Sequence, residues 1–199
     1  MFIIGITGGT GCGKTTIVNR LYQATKDIDI NFLSSDSYYK DNSHLPFKDR
    51  DKLNYDEPNA IDFGLLISQI KDLKNGKTIN IPEYCFNTHL RLKKTSRCNP
   101  TKILVIEGIL ILNNAQLRKI IDHCVFLDCP REIRFNRRIL RDINERGRKK
   151  EAVIDLFENL LDDMHKTYVE PMKKFCDLIL DTSNETDISS IINLILKKQ

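Results

Sequence analysis

Short apolar runs alternate along the chain with longer stretches of helical periodicity. Phe2 to Ile6 is an apolar run bounded by glycine, which predicts a buried strand. Lys14 to Thr25 reads as a helix and Ile30 to Ser34 as a second strand. Ala60 to Leu73 sets Ile61, Leu65, Leu66, Ile70 and Leu73 at helical spacing, with Asn59 as the expected N-cap and Gly76 as the stop. Residues 77 to 101 break this rhythm. Thr78 to Ile81 and Leu90 to Thr95 have β-like composition and predict an inserted hairpin. Ile103 to Ile106 is a fully apolar strand ending at Glu107, and Cys124 to Leu127 is another, ending at Asp128. Pro130 suits the first position of a long helix. Gly147 interrupts that pattern, and a second long helix is expected to about Tyr168. Leu178 to Leu180 is the last strand and Ile188 to Leu196 the closing helix.

Short apolar strands separated by helices imply a mostly parallel sheet covered on both faces, a three-layer α/β sandwich. Ligands of such sheets bind at the carboxyl ends of the strands. No repeat or Pro/Gly/Ser-rich linker divides the chain. The expectation is one domain over 1–199, with a hairpin insert at about 77–101 and a lid at about 138–152.

Composition narrows the class. Of 199 residues, 41% are hydrophobic and 29% charged, which supports a sizeable core and argues against bulk disorder. No apolar run approaches a membrane span, and the apolar opening is too short for a secretory signal. The six cysteines, at 12, 85, 98, 124, 129 and 176, form no CxxC pair and have no zinc-spaced histidines beside them. They read as reduced thiols of a cytoplasmic protein. A net charge of +4 is mild, so neither nucleic acid nor membrane is expected as a partner. The charge is nevertheless uneven, with seven arginines and two lysines between Arg131 and Lys150.

Gly8 to Thr15 reads GGTGCGKT, a full phosphate-loop match placed between a predicted strand and a predicted helix. Glycines there let backbone amides turn inward around phosphate oxygens, and the helix N-terminus favours the same anion. The candidate nucleotide contacts are Gly8, Gly9, Thr10, Gly11, Cys12, Gly13, Lys14, Thr15 and Thr16. Lys14 supplies a charge for the β- and γ-phosphates of ATP, and Thr15 a hydroxyl for Mg²⁺. Glu107, at the end of an apolar strand, is placed as the second Mg²⁺-side group; an ordinary solvated acid is the bland alternative.

A phosphate loop alone covers motors, switches and kinases. Asp36, in SSDSYYKD after the second strand, lies at the same sheet edge and could take the proton of an acceptor hydroxyl. The helix from Pro130 carries Arg134, Arg137, Arg138 and Arg141, with Arg146 and Arg148 beyond. Arg134, Arg138 and Arg141 fall near one helical face. Gly147 between two arginines suggests a hinged lid that brings guanidinium groups onto the transferring phosphoryl. A solvated basic face or a nucleic-acid patch is the competing reading of the same run.

The segments GITGGTGCGKTT, SSDSYYKD, NYDEPNAID, PEYCFNTHLR, VIEGIL, RRILRDINERGR and DDMHKTYVEPMKKFCDLIL, in that order, resemble the uridine kinase (uridine-cytidine kinase) family over nearly the full length. The resemblance implies a P-loop, nucleoside-kinase-like fold and phosphorylation of the 5′-hydroxyl of uridine and cytidine by ATP with Mg²⁺, GTP being a further donor. It implies that Asp36 is the catalytic base, with Lys14, Arg141 and Arg146 acting at the phosphoryl group and Arg148 at the triphosphate. Asp56 and Arg138 match the pair on the ribose hydroxyls. Tyr84 and His89 match the groups on the pyrimidine edge, and Tyr39, Tyr55 and Phe86 the aromatic wall. A homo-oligomer, tetramer or dimer, is implied with the hairpin as contact. A carboxylate and an arginine on the two hydroxyls would also reject deoxyribose, by leaving buried polar groups unpaired. Two positions depart from the family. Cys85 stands where relatives usually have aspartate, and Leu156 falls near a base-binding glutamine. Other acceptors (nicotinamide riboside, ribulose 5-phosphate, pantothenate) and a nucleotide-sensing binding protein remain as alternative readings.

Overall fold

The computed structural model describes residues 1–199. Its strands are β1 (Phe2–Gly8), β2 (Ile30–Ser34), β3 (Ile79–Cys85), β4 (Leu90–Cys98), β5 (Ile103–Glu107), β6 (His123–Asp128) and β7 (Leu178–Asp181). Its α-helices are α1 (Lys14–Ala24), α2 (Phe47–Arg50), α3 (Phe63–Lys74), α4 (Ala115–Ile120), α5 (Arg131–Arg146), α6 (Lys150–Leu156), α7 (Asp162–Met164) and α8 (Ser189–Leu196). Five strands form one sheet in the order β2-β5-β1-β6-β7, and every pairing in it is parallel. β3 and β4 form a separate antiparallel hairpin.

The sheet is apolar on both faces because each face carries its own core. Along β5, Leu104 and Ile106 join one buried cluster with Leu66, Ile70 and Leu73 of α3, while Ile103 and Val105 join the other with Ile17, Leu21, Ile191 and Ile195. That alternation is the two-residue period of a strand. Each such buried aliphatic side chain contributes about 1.5–3 kcal/mol. Register then sets the functional edge. Glu107 pairs with Ile6 on one side and with Ser34 on the other. The phosphate loop leaves β1 two residues after Ile6, and Asp36 follows two residues after Ser34. All three features therefore emerge at the carboxyl ends of adjacent strands, the expected ligand edge.

The architecture agrees with the expected α/β sandwich, and several local boundaries differ. Helix α3 starts at Phe63, and its cap is Asp62, whose carboxylate accepts from the Leu65 amide at 3.0 Å. Asn59 lies instead in a 3₁₀ turn, Pro58–Ala60, because the proline two residues upstream of Ala60 favours a tight turn there. Pro130 is the N-cap of α5 rather than its first helical residue. The second long helix is a chain of α6, a π turn at Phe157–Leu161, α7 and a second π turn at His165–Val169. Gly147 ends α5 in the left-handed conformation at φ 63°. Two short helices, α2 and α4, lacked a periodic signal because they are only four and six residues long. No helix is long and apolar enough to cross a membrane.

Candidate active site

Two glycines of the phosphate loop take positive φ, and at Gly11 packing also excludes a side chain. Gly11 has φ 75°, and a Cβ added there would stand 2.3 Å from the Arg134 carbonyl oxygen. Gly13 has φ 98° and hands the chain directly into α1. The first amides of α1 have no intrahelical acceptor and face an anion site by default. Lys14 Nζ lies back over the loop, donating to the carbonyls of Gly8 at 2.9 Å and Gly9 at 3.0 Å.

Two acids stand opposite that lysine. Burial raises the Asp36 carboxyl above its ordinary pKa, against the lowering charges of Lys14, Arg146 and Arg141. Burial also raises Glu107, to about 7, with the Asp36 charge adding to the rise and Lys14 opposing it. Neither acid forms a direct ion pair within 4.0 Å. Two half-buried carboxylates, lining the same cavity as Thr15, make with its hydroxyl a hard-oxygen donor set of the kind that suits Mg²⁺.

The hairpin supplies the opposite wall. Tyr39 lies 5.0 Å from Tyr84 and 5.3 Å from Tyr55 between ring centroids, and Tyr84 lies 5.4 Å from Phe86. Tyr55 and His89 stack at 4.6 Å with their planes 12° apart. The Tyr84 hydroxyl is buried with no hydrogen-bond partner. His89 sits at φ 52°, an uncommon conformation for a side chain of its size, at the end of the β3–β4 turn. Its Nε2 lies 3.5 Å from Asp51 and 3.4 Å from an Arg148 guanidinium nitrogen. Burial first, then the Arg148 charge, lowers the His89 pKa and keeps the ring neutral at pH 7, with one donor and one acceptor nitrogen. Arg91 ties this wall to the Asp36 segment, donating to the carbonyl of Tyr39 at 2.7 Å and pairing with Asp62 at 3.3 Å. Arg50 ties the hairpin turn to the Tyr55 segment, donating to the Thr88 carbonyl at 3.1 Å while its carbonyl accepts from Tyr55 Oη at 3.0 Å.

Helix α5 closes the space between the two walls. Arg138 donates to Thr10 Oγ1 of the phosphate loop at 2.6 Å and to Asp142 at 2.6 Å. Burial opposes the Arg138 charge, but the carboxylates of Asp56 and Asp142 outweigh it and raise the pKa. Arg146 lies over the Phe86 ring at 4.6 Å. Burial, then Arg141 and Arg138, lower the Arg146 pKa to about 10, which leaves it charged at neutral pH. The expected common face of Arg134, Arg138 and Arg141 divides differently in space. Arg134 is buried beneath the loop against Gly9, donating from Nε to the Cys129 carbonyl at 3.1 Å, and lies outside the cavity. Arg137 instead holds the carbonyls of Thr182 at 2.8 Å and Ser183 at 3.3 Å.

These groups line one cavity of about 610 Å³. It is bordered by Thr10, Gly11, Gly13, Lys14, Thr15 and Thr16 at the loop end, by Asp36, Glu107 and Asp56 in the middle, and by Tyr39, Tyr55, Tyr84, Phe86 and His89 at the far end. Arg138, Arg141, Arg146 and Arg148 cover it. Gly8, Gly9 and Cys12 do not line it; Gly8 and Gly9 hold Lys14 through their carbonyls, and Cys12 is fully buried behind the loop. Leu156 borders the cavity, whereas Cys85 does not. Three acting groups escaped the sequence reading. Asp51 reaches His89, Arg91 pins the hairpin, and Asp142 gathers the arginines of α5. Only Asp142 carried a readable signal, as the acid four residues from both Arg138 and Arg146.

A family model described as Phosphoribulokinase / Uridine kinase family matches residues 3–189. A uridine kinase of Clostridium novyi is 44% identical over 187 residues, covering 94% of this chain and 90% of that relative. A uridine kinase of Clostridium perfringens is 43% identical over 195 residues, covering 98% and 93% respectively. The solved structure of a phosphoribulokinase from Rhodobacter spheroides superposes with a TM-score of 0.66 at 14% identity, covering 90% of this chain and 69% of that one, which is a likeness of fold alone.

Proposed function

The chain belongs to the phosphoribulokinase/uridine kinase family, and from that premise we propose that it transfers the γ-phosphoryl group of ATP to the 5′-hydroxyl of uridine, and of cytidine, giving the nucleoside 5′-monophosphate and ADP. One observation carries the reading. A single cavity joins a phosphate loop, through the half-buried acids Asp36 and Glu107, to an aromatic wall of Tyr39, Tyr55, Tyr84 and Phe86. That is the shape of a site for a triphosphate at one end and a nucleoside at the other.

The residues divide the work as follows. Backbone amides of the loop residues that line the cavity, Thr10, Gly11 and Gly13 to Thr16, and the Lys14 ammonium bind the triphosphate of ATP. The aromatic rings take the faces of the base, and neutral His89 with the unpartnered Tyr84 hydroxyl takes its polar edge. Asp56 and Arg138 hold the ribose hydroxyls, which sets the 5′-hydroxyl toward Asp36. Asp36 accepts the proton of that hydroxyl as O5′ bonds to the γ-phosphorus and the bond from phosphorus to the β-γ bridging oxygen breaks. A carboxylate whose pKa burial has raised accepts that proton more readily than an exposed one. Arg141, Arg146 and Arg148 counter the charge spread over the transferring group and exclude water. Thr15 and Glu107, with Asp36 near, would hold Mg²⁺, whose chemistry there is to neutralise β- and γ-phosphate oxygens. The family resemblance extends the reading to GTP as a second donor, a cytoplasmic setting and a dimer or tetramer built on the hairpin.

The test is a panel of acceptors with ATP: uridine, cytidine, thymidine, nicotinamide riboside and pantothenate, with product identified by mass spectrometry. Uridine and cytidine should be consumed with the highest kcat/KM. A preference for nicotinamide riboside or pantothenate would reject the pyrimidine assignment, and one for thymidine would reject the ribose assignment; both would leave the kinase reading intact.

A further inference from the structure

The arginines over the cavity are not held individually. They converge on one group that takes no direct part in the reaction. Asp142 lies on α5 and is fully buried. Its Oδ2 accepts from Arg138 Nε at 2.6 Å, and its Oδ1 accepts from Arg141 Nε at 3.1 Å and lies 3.4 Å from an Arg146 guanidinium nitrogen. Its main-chain carbonyl accepts the amide of Gly147, the left-handed C-cap of α5, and the amide of Arg148 at 3.0 Å. Every arginine bordering the cavity beyond Arg137 is thus tied, by side chain or backbone, to this one residue.

We propose that Asp142 is a positioning residue for phosphoryl transfer: its carboxylate gathers the guanidinium groups of Arg138, Arg141 and Arg146 over the cavity, fixing Arg141 and Arg146 at the phosphates against Arg138 on the ribose side, and its carbonyl turns Arg148 in beside them. The inference rests on reading Arg141 and Arg146 as the groups that meet the transferring phosphoryl. Arginine side chains do not discharge by losing a proton at neutral pH, so three packed together repel one another unless an anion stands among them. Residues 138, 142 and 146 are four apart, which places them along one strip of the helix. A single carboxylate accepting from three directions leaves a net charge of about two positive units turned to the cavity, in fixed orientation. Preorganised charge of this kind lowers a barrier because nothing has to reorient as the transition state forms.

The experiment separates this role from a structural one by a double-mutant cycle. Asp142→Asn keeps the shape and the main-chain cap but removes the charge. It should lower kcat for uridine by about 10- to 100-fold, with KM for ATP and uridine within about threefold. Arg146→Met alone should lower kcat similarly. If Asp142 acts through Arg146, the double variant should be no slower than the slower single variant, because the effects are not independent. Additive losses, or a normal kcat in folded Asp142→Asn, would overturn the proposal. Should the Asn variant fail to fold, Asp142→Glu keeps the buried anion but displaces it, and the same cycle with Arg146→Met applies. Failure of both to fold would make the carboxylate an element of stability and the positioning role would be withdrawn. A normal kcat in Arg146→Met would reject the assignment of the arginine cover itself, whatever Asp142 does.

Discussion

Gly108→Ala tests how tightly the two acids are held. Gly108 directly follows Glu107, and Ser35 directly precedes Asp36. A Cβ built on Gly108 would lie 1.8 Å from Ser35 Oγ, 2.9 Å from Ser35 Cβ and 3.1 Å from Ile111 Cγ2. Ser35 is 1% exposed and its hydroxyl has no hydrogen-bond partner, so the Oγ contact is relieved by a rotamer change that breaks no bond. The Cβ contact is not relieved that way. The backbone at Ser35 or Gly108 must give by a few tenths of an ångström, and the neighbouring acids move with it. Overpacking of this size costs about 1–3 kcal/mol, a loss in Tm of roughly 3–10 °C for a chain of this length. A displaced reacting group also costs rate, on the order of 10- to 100-fold in kcat. Differential scanning fluorimetry and a coupled ADP assay would read both. The repair is graded: Ser35→Ala in the Gly108→Ala background removes only the Oγ clash, while Ser35→Gly removes the Cβ as well and should restore more activity. Wild-type Tm and kcat in Gly108→Ala, or no difference between the two repairs, would refute this account of the packing.

Three further outcomes follow from the same geometry. Asp36→Asn should cut kcat by about 10²–10⁴-fold while ATP affinity, measured by calorimetry, stays near normal; near-wild-type turnover would remove Asp36 as the base. Asp56→Ala should narrow the preference for uridine over 2′-deoxyuridine in kcat/KM, and an unchanged ratio would count against its place on the ribose. His165 packs against Gly9 of the phosphate loop, and burial, then the Arg134 charge, depress its pKa to about 4. The folded state therefore disfavours the imidazolium, so stability should be full above pH 6.5 and fall as pH drops from there toward 4. The loss should be on the order of 3 kcal/mol at most, and His165→Gln should flatten it in pH-dependent thermal melts.

Much of the site was legible because its chemistry is local in the chain. Gly8 to Thr15 must form one turn between strand and helix, so its ligand class could be read from spacing alone. Asp36 and Glu107 could be placed because each follows an apolar strand, and parallel strands bring their carboxyl ends to one edge. The aromatic wall was legible only through family resemblance, since Tyr39, Tyr55, Tyr84 and Phe86 lie on three separate segments with no shared period. Boundaries set by a single side chain were misread where two candidates competed, as when Asp62 rather than Asn59 capped α3. The separation of Arg134 from Arg138 and Arg141 was also invisible, because helical spacing tells which residues are near one another and not what lies opposite them.

The linear pattern of apolar and polar residues was enough for the strands, the longer helices, the parallel sheet and the phosphate loop, since each depends on periodicity or on neighbours a few positions apart. Tertiary structure alone decided which arginines look into the cavity, that Asp142 binds three of them, and that Asp51 and Arg148 meet at His89. These are contacts between side chains whose burial and direction depend on how helices and hairpin dock. Electrostatic interactions of that kind are set by distance and desolvation in space, which order along the chain does not encode.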